Sequence, residues 1–141
     1  MKRAIEFIDH AKVTHGSYTF VIILAKYRDK MVFVRHKDRQ SWEWPAGHVE
    51  PGEDVDDAAV RELKEETGAV EFQISPLVSY RGWWDDEEVF GKLFFAEITQ
   101  LGSLPDYEIA EVRCLAEVPE NLTYPEVQPV FIEWFKSYIS R

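Results

Sequence analysis

The residues best suited to chemistry in this chain are Glu62, Glu65 and Glu66, which stand at i, i+3 and i+4 and share one face of any helix built there. Three carboxylates crowded together repel one another and resist ionisation unless a cation sits among them. Their hard oxygens suit Mg²⁺ or Mn²⁺. Glu53 and Arg61 flank the same segment, and Gly47 precedes them in a Trp-Pro-Ala-Gly-His run whose small residues let backbone approach an ion or a ligand. An acidic run such as Arg61 to Glu66 taken alone reads as a solvated helix face. The glycine, turn and glutamate upstream of it set this one apart.

The element that must carry these groups is a helix from about Asp54 to Thr67. Pro51-Gly52 makes a turn before it, Glu53 and Asp54 place negative charge at its N-terminus, and Gly68 follows Thr67 as a C′ residue. Val55, Ala59, Val60 and Leu63 form an apolar stripe on the face opposite the carboxylates, for docking on a core. Strands are expected near Ala4 to Val13, Tyr18 to Tyr27 and Met31 to His36, the last two joined through Arg28-Asp29-Lys30 as a hairpin. Further strands are expected at Val70 to Tyr80, Glu88 to Thr99 and Glu108 to Leu115, and Asp85, Asp86, Glu87 and Glu88 read as a solvated loop. A second helix is expected from about Pro125 to Ile139, with Val127, Val130, Phe131, Trp134, Phe135 and Tyr138 at helical spacing. There is no internal repeat or linker, so the pattern predicts an α/β fold, a mixed sheet with helices on both faces.

Composition narrows the function. With 141 residues, 45% of them hydrophobic, the chain can bury one sizeable core, and a single domain over residues 1–141 is expected. The first residues carry no continuous apolar run and no segment is long enough to cross a bilayer, which predicts a cytoplasmic protein that does not bind membranes. Cys114 is the only cysteine, so no internal disulfide can form, and its neighbours Val112 and Leu115 mark it as a small buried hydrophobe. A net charge of −10 argues against long nucleic acid as a partner. A small polyanion is compatible with it once divalent ions invert the local potential. Arg35, His36, Lys37 and Arg39 supply cations just before the glycine loop. An aromatic content of 14% leaves room for a homodimer contact.

Gly47, Glu53, Arg61, Glu62, Leu63, Glu65, Glu66 and Gly68 fit the signature G-x5-E-x7-R-E-U-x-E-E-x-G-U, with U an aliphatic residue, and on these residues the chain resembles the Nudix hydrolases. Ala69 stands where a larger aliphatic residue is usual, and Ala46 where a glycine often precedes the motif; neither departure removes a catalytic group. The resemblance implies a Nudix-type α/β/α sandwich and hydrolysis of a nucleoside diphosphate linked to another group, by attack of water on phosphorus, with Mg²⁺ or Mn²⁺ as cofactor and a small nucleotide as substrate. Carried over by position, it implies Glu62, Glu65, Glu66 and Gly47 as metal ligands, and Arg61 as the partner that orients Glu53. The catalytic set is then Glu62, Glu65, Arg61, Glu53 and a base that stays open among Glu111, Glu108, Glu97, Glu87 and Glu88. Glu111 is placed in the set because the run YEIAEVRCL could return it to the cleft. Arg35 and Arg39 are the candidates for phosphate contact. Trp44 and Trp83 are the candidates for stacking on a base, with Trp42, Trp84, Tyr124 and Gln128 behind them.

Trp83-Trp84 stands where ADP-ribose-cleaving members carry a proline and dinucleoside-polyphosphate-cleaving members a tyrosine. The chain's size and its ending look more like the MutT-type enzymes, which convert a nucleoside triphosphate to the monophosphate and pyrophosphate. Pro45-Ala46-Gly47 keeps an ADP-ribose or sugar-nucleotide pyrophosphatase as the alternative, and a non-catalytic nucleotide sensor is a further one.

Overall fold

A computed structural model describes residues 3–84, 87–106 and 108–139 of the chain. The expectations for Asp85 and Asp86, and those for the side chains of Trp84 and Tyr138, lie outside the described residues. In chain order the elements are β1 (Arg3–Ile8), β2 (Tyr18–Tyr27), β3 (Lys30–His36), β4 (Ala46–His48), α1 (Val55–Thr67), β5 (Ala69–Trp84), β6 (Glu87–Leu101), β7 (Ile109–Leu115) and α2 (Gln128–Ile139). Among the described residues the seven strands form one sheet in the order β1-β5-β6-β2-β3-β7, with β4 paired to β2. The β2–β6 pair is parallel and the others are antiparallel, so the sheet is mixed as expected.

Alternation along β2 and β3 divides the core between the two faces. Val21, Ile23, Ala25 and Val32 turn to the face that α1 covers with Val55, Ala58, Ala59 and Leu63. Ile22, Leu24 and Phe33 turn to the face that α2 covers with Phe131 and Ile132. The layers are therefore helix, sheet, helix.

Several elements differ from expectation by more than a residue. β1 stops at Ile8 rather than running to Val13. Asp9 accepts from the backbone N–H of Ala11 through its side chain (2.9 Å) and from that of Lys12 through its carbonyl (2.9 Å), a local turn that competes with the ladder. β5 and β6 run on to Trp84 and Leu101, because they pair with each other along most of their length. The motif loop contains a short strand, β4. α2 begins at Gln128, because Tyr124 to Val127 form a turn whose Tyr124 N–H is bound by the Gln128 side chain at 2.7 Å.

The opening that becomes the site starts at the β2–β3 turn. Arg28 (φ 50°) and Asp29 (φ 66°) take the left-handed conformations of a tight hairpin turn. Only two residue pairs, Lys26–Met31 and Tyr27–Lys30, then hold β2 to β3. Beyond them the strands part, β3 turning to β7 and β2 taking β4 through Phe20–His48, Val21–Gly47 and Ile22–Ala46.

Candidate active site

α1 is fixed at both ends. Asp54 caps its N-terminus by accepting from Asp56 N–H (2.8 Å), and Gly68 closes it in the left-handed conformation (φ 77°), donating to the Lys64 carbonyl. The faces are arranged differently from the expected two-sided helix. Glu62 (9% exposed) and Glu66 (4%) are buried beside Ala58, Ala59 and Leu63, whereas Val60 is only partly covered. The carboxylates point inward at β4, and Ala58 and Ala59 are small enough to let the helix sit close.

Gly47 shows how close that approach is. A Cβ there would stand 2.2 Å from the carboxyl carbon of Glu62, so a side chain and the carboxylate cannot occupy the site together. One residue earlier, the Ala46 backbone N–H donates to Glu66 Oε1 at 2.9 Å. Burial pushes the Glu62 carboxyl up to about 7, with the Arg61 hydrogen bond opposing it and the Glu65 and Glu108 charges adding to it. Burial pushes Glu66 up to about 8 against the Ala46 hydrogen bond, with Glu62 raising it further. Two acids that burial keeps protonated near neutral pH, their hard oxygens pressed on a glycine backbone, fit a divalent cation.

Arg61 braces the cluster. Its Nε and Nη2 donate to the two Glu53 oxygens at 2.8 and 3.0 Å, a two-pronged pair, while Nη1 reaches Glu62 (2.8 Å) and Glu65 (3.3 Å) and Nη2 also reaches the His48 carbonyl (3.0 Å). These contacts, led by the Glu53 hydrogen bond, raise the guanidinium above its ordinary value and hold Glu53 below its own. The expected Arg61–Glu53 pair is present, and it ties the loop before α1 to the helix.

The cluster lines a cavity of about 1010 Å³. Apolar and aromatic lining comes from Ile5, Phe20, Ile22, Tyr80, Trp83 and Phe131. Trp44 also lines it, but it is 2% exposed and its ring packs on Phe33 at 4.5 Å, so it serves chiefly as core. Trp83 stands at the cavity with the Arg81 guanidinium over its ring at 5.2 Å. Trp42 does not line it and is covered by Arg113 at 5.1 Å.

Two of the expected residues are turned elsewhere. Arg35 donates to the Arg39 carbonyl (3.0 Å) and lies 3.6 Å from Glu111, which is itself bound by Arg113 at 2.8 Å. Neither Arg35 nor Glu111 lines the cavity. Both lie in the regular part of the β3–β7 ladder, next to a bulge in β7. Arg35 pairs with Glu111 but His36 pairs with Ile109, leaving Ala110 as an extra residue. Below the bulge, Ile109 and His36 face the cavity, and Glu108 is the carboxylate from this segment that reaches it.

Glu108, His36, Arg39 and Glu43, all outside the motif, add basic and acidic lining. Glu108, Glu66 and His36 each offer a ligand atom, all within 4.8 Å of one another. His36 Nε2 lies 3.0 Å from Glu43 and 3.8 Å from Glu66, and Arg39 Nη1 donates to the other Glu43 oxygen at 3.0 Å. The Glu43 hydrogen bond raises His36 against its burial. Burial pulls Glu43 upward, but hydrogen bonds from His36 and Thr123 and the charges of His36 and Arg39 outweigh it and leave the carboxyl low. Glu43 was beyond sequence reasoning, because only the isolated Val34–Glu43 bridge brings it beside His36.

A mixed sheet between two helices, opened beside inward-turned glutamates that an arginine braces, defines a hydrolase architecture. The chain belongs to the Nudix hydrolase family: the model of the NUDIX domain matches residues 15–135. YtkD of Bacillus subtilis, provisionally named an 8-oxo-dGTP diphosphatase, is 35% identical over 104 residues, which is 73% of this chain and 65% of that one. A second B. subtilis protein provisionally given the same activity is 41% identical over 83 residues, covering 57% of this chain and 52% of its own length. The matched part thus spans less than two thirds of either relative. Among solved structures, a mutant form of the B. subtilis pyrophosphohydrolase BsRppH superposes with a TM-score of 0.80 at 27% identity, covering 96% of this chain and 90% of that one. Among the described residues no helix is long and apolar enough to cross a membrane.

Proposed function

We propose that this protein is a metal-dependent pyrophosphohydrolase that cleaves a nucleoside triphosphate to the monophosphate and pyrophosphate. The observation that carries the reading is the joining, in one cavity, of the Glu62–Glu65–Glu66 cluster to an aromatic chamber of a size that suits a nucleobase. Glu62, Glu65 and Glu66, with Gly47 behind Glu62, would hold Mg²⁺ or Mn²⁺. When bound, such an ion neutralises phosphate charge and acidifies water. Arg61 and Glu53 keep the glutamates in place, and Arg39 and His36 line the same cavity beside Glu43 and Glu66, positive groups within reach of phosphate oxygens. A carboxylate at the cavity must take the proton from the attacking water, and Glu65 and Glu108, which line it beside the buried glutamates and are themselves not buried, can exchange it with solvent. The accessible apolar wall formed by Phe20 and Trp83 receives the base.

The names of the two B. subtilis relatives support this substrate class. A second reading, removal of pyrophosphate from the 5′ end of RNA, is favoured by relatives named RNA pyrophosphohydrolase. One from Pectobacterium carotovorum is 32% identical over 62 residues, 44% of this chain and 35% of its own length. The test is pyrophosphate release from the canonical and 8-oxidised nucleoside triphosphates and from a short 5′-triphosphorylated RNA, with and without Mg²⁺. Mg²⁺-dependent release from free triphosphates, at a kcat/KM at least about tenfold above that for RNA, is the expected result. The reverse preference selects the second reading, and cleavage confined to ADP-ribose or sugar nucleotides overturns both.

A further inference from the structure

Among the described residues three glutamates are buried, and the hydrolytic reading gives tasks to Glu62 and Glu66 but none to Glu43. Burying a carboxylate is costly unless it is fully paired, so its placement calls for a cause. We propose that Glu43 is a positioning residue that draws the imidazole of His36 away from Glu66 and so keeps Glu66 open to a divalent cation. The inference rests on the metal reading given above and adds a residue outside the family motif.

Geometry carries it. His36 Nε2 can give its single N–H to one acceptor at good distance. Two carboxylates compete for it, Glu43 Oε1 at 3.0 Å and Glu66 Oε2 at 3.8 Å. The nearer one wins because its position is fixed from three sides. The Glu43 backbone is bonded in both directions to Val34 (2.8 and 3.0 Å), which sets its side chain beside that of His36, two residues along the same face of β3. Its second oxygen is held by Arg39 at 3.0 Å, and the Thr123 hydroxyl bonds the same carboxylate. Glu66 has Oε1 engaged by the Ala46 N–H at 2.9 Å, so Oε2 is the oxygen at stake. Without the Glu43 carboxylate, Glu66 is the buried acceptor left for His36 Nε2, and a His36–Glu66 pair occupies that oxygen.

The test is Mn²⁺ binding to the full chain without nucleotide, followed by the electron paramagnetic resonance signal of free Mn²⁺. Glu43→Ala is expected to weaken binding about tenfold, the scale of a lost outer-shell partner. Adding His36→Ala to that variant is expected to restore binding to within about twofold of His36→Ala alone, because the competitor is gone. Glu43→Gln keeps the shape and tests the inference even if the alanine variant fails to fold; its neutral acceptor is expected to weaken binding about threefold. Wild-type affinity in both Glu43 variants overturns the inference. So does a double variant as weak as Glu43→Ala, and so does a loss of about tenfold in His36→Ala alone, which would make His36 a ligand. A wild-type protein that binds no Mn²⁺ overturns the metal reading itself.

Discussion

α1 and α2 cover opposite faces of one sheet, yet they are built to different tolerances. α1 meets the sheet through Ala58, Ala59 and Leu63 and turns two glutamates inward, whereas α2 meets it through Phe131 and Ile132 among aromatic neighbours. Small residues fix the distance from α1 to β4, where Gly47 touches Glu62. Large aromatic ones fill volume, and Phe131 lies edge-on to both Phe7 and Tyr80. One face is organised for placing charged groups and the other for apolar area, and the cavity draws on both.

The largest separation between the faces is expected from Phe131→Ala. Removing a 1%-exposed ring should cost about 3–5 kcal/mol in denaturant unfolding and raise KM, with kcat of the folded fraction moved far less. Comparable effects on kcat and KM would erase the distinction drawn between the helices. On the other face, Glu66→Gln should lower kcat about 10²-fold in a steady-state assay, roughly 2.7 kcal/mol, while the protein remains folded by circular dichroism. Near-normal turnover would remove Glu66 from the site.

The pH response sharpens the same contrast. In the unfolded chain Glu62 and Glu66 titrate near 4.5, but in the folded one near about 7 and about 8. Between those values the folded form binds more protons, so the metal-free protein should lose stability as pH rises from about 5 to 8. His36, raised in the fold, contributes in the same direction, and the lowered carboxyls of Glu43 and Glu53 act at more acid pH. Unfolding midpoints should therefore fall by several degrees over that range without metal and much less with saturating Mg²⁺. A metal-free midpoint that climbs with pH contradicts the burial of these two acids. The smallest effect is expected from Asp54→Ala, about 1 kcal/mol of stability from the lost cap, read by thermal unfolding with kcat per folded molecule unchanged.

The parts of the molecule legible in the sequence are those encoded locally. The Gly68 stop and the β2–β3 turn each depend on residues close together in the chain and each is present in the structure, as is the Glu53–Arg61 pair that the motif implies. Helical periodicity also placed both helices on the sheet. It could not say that the carboxylate face of α1 is as buried as its apolar face, because that depends on β4 arriving from outside the helix. Glu43 and His36 meet through a bridge between a loop and β3, and the orientation of Arg35 depends on its partners in β7. Such choices are made by pairing between distant segments, which residue type and spacing do not report.

The extra residue in β7 shows how much a strand's length can decide. With Ala110 inserted, Glu108 stands at the cavity while Glu111 is committed to Arg35 and Arg113. Loss of that one residue would reverse the facing of Ile109 and shift Glu108 just before it, without changing the order of the amino acids that remain. Relatives that differ by a single position here can thus keep an acid in the cleft while drawing it from a different place in the alignment, and matching their glutamates column by column will pair groups that point in opposite directions.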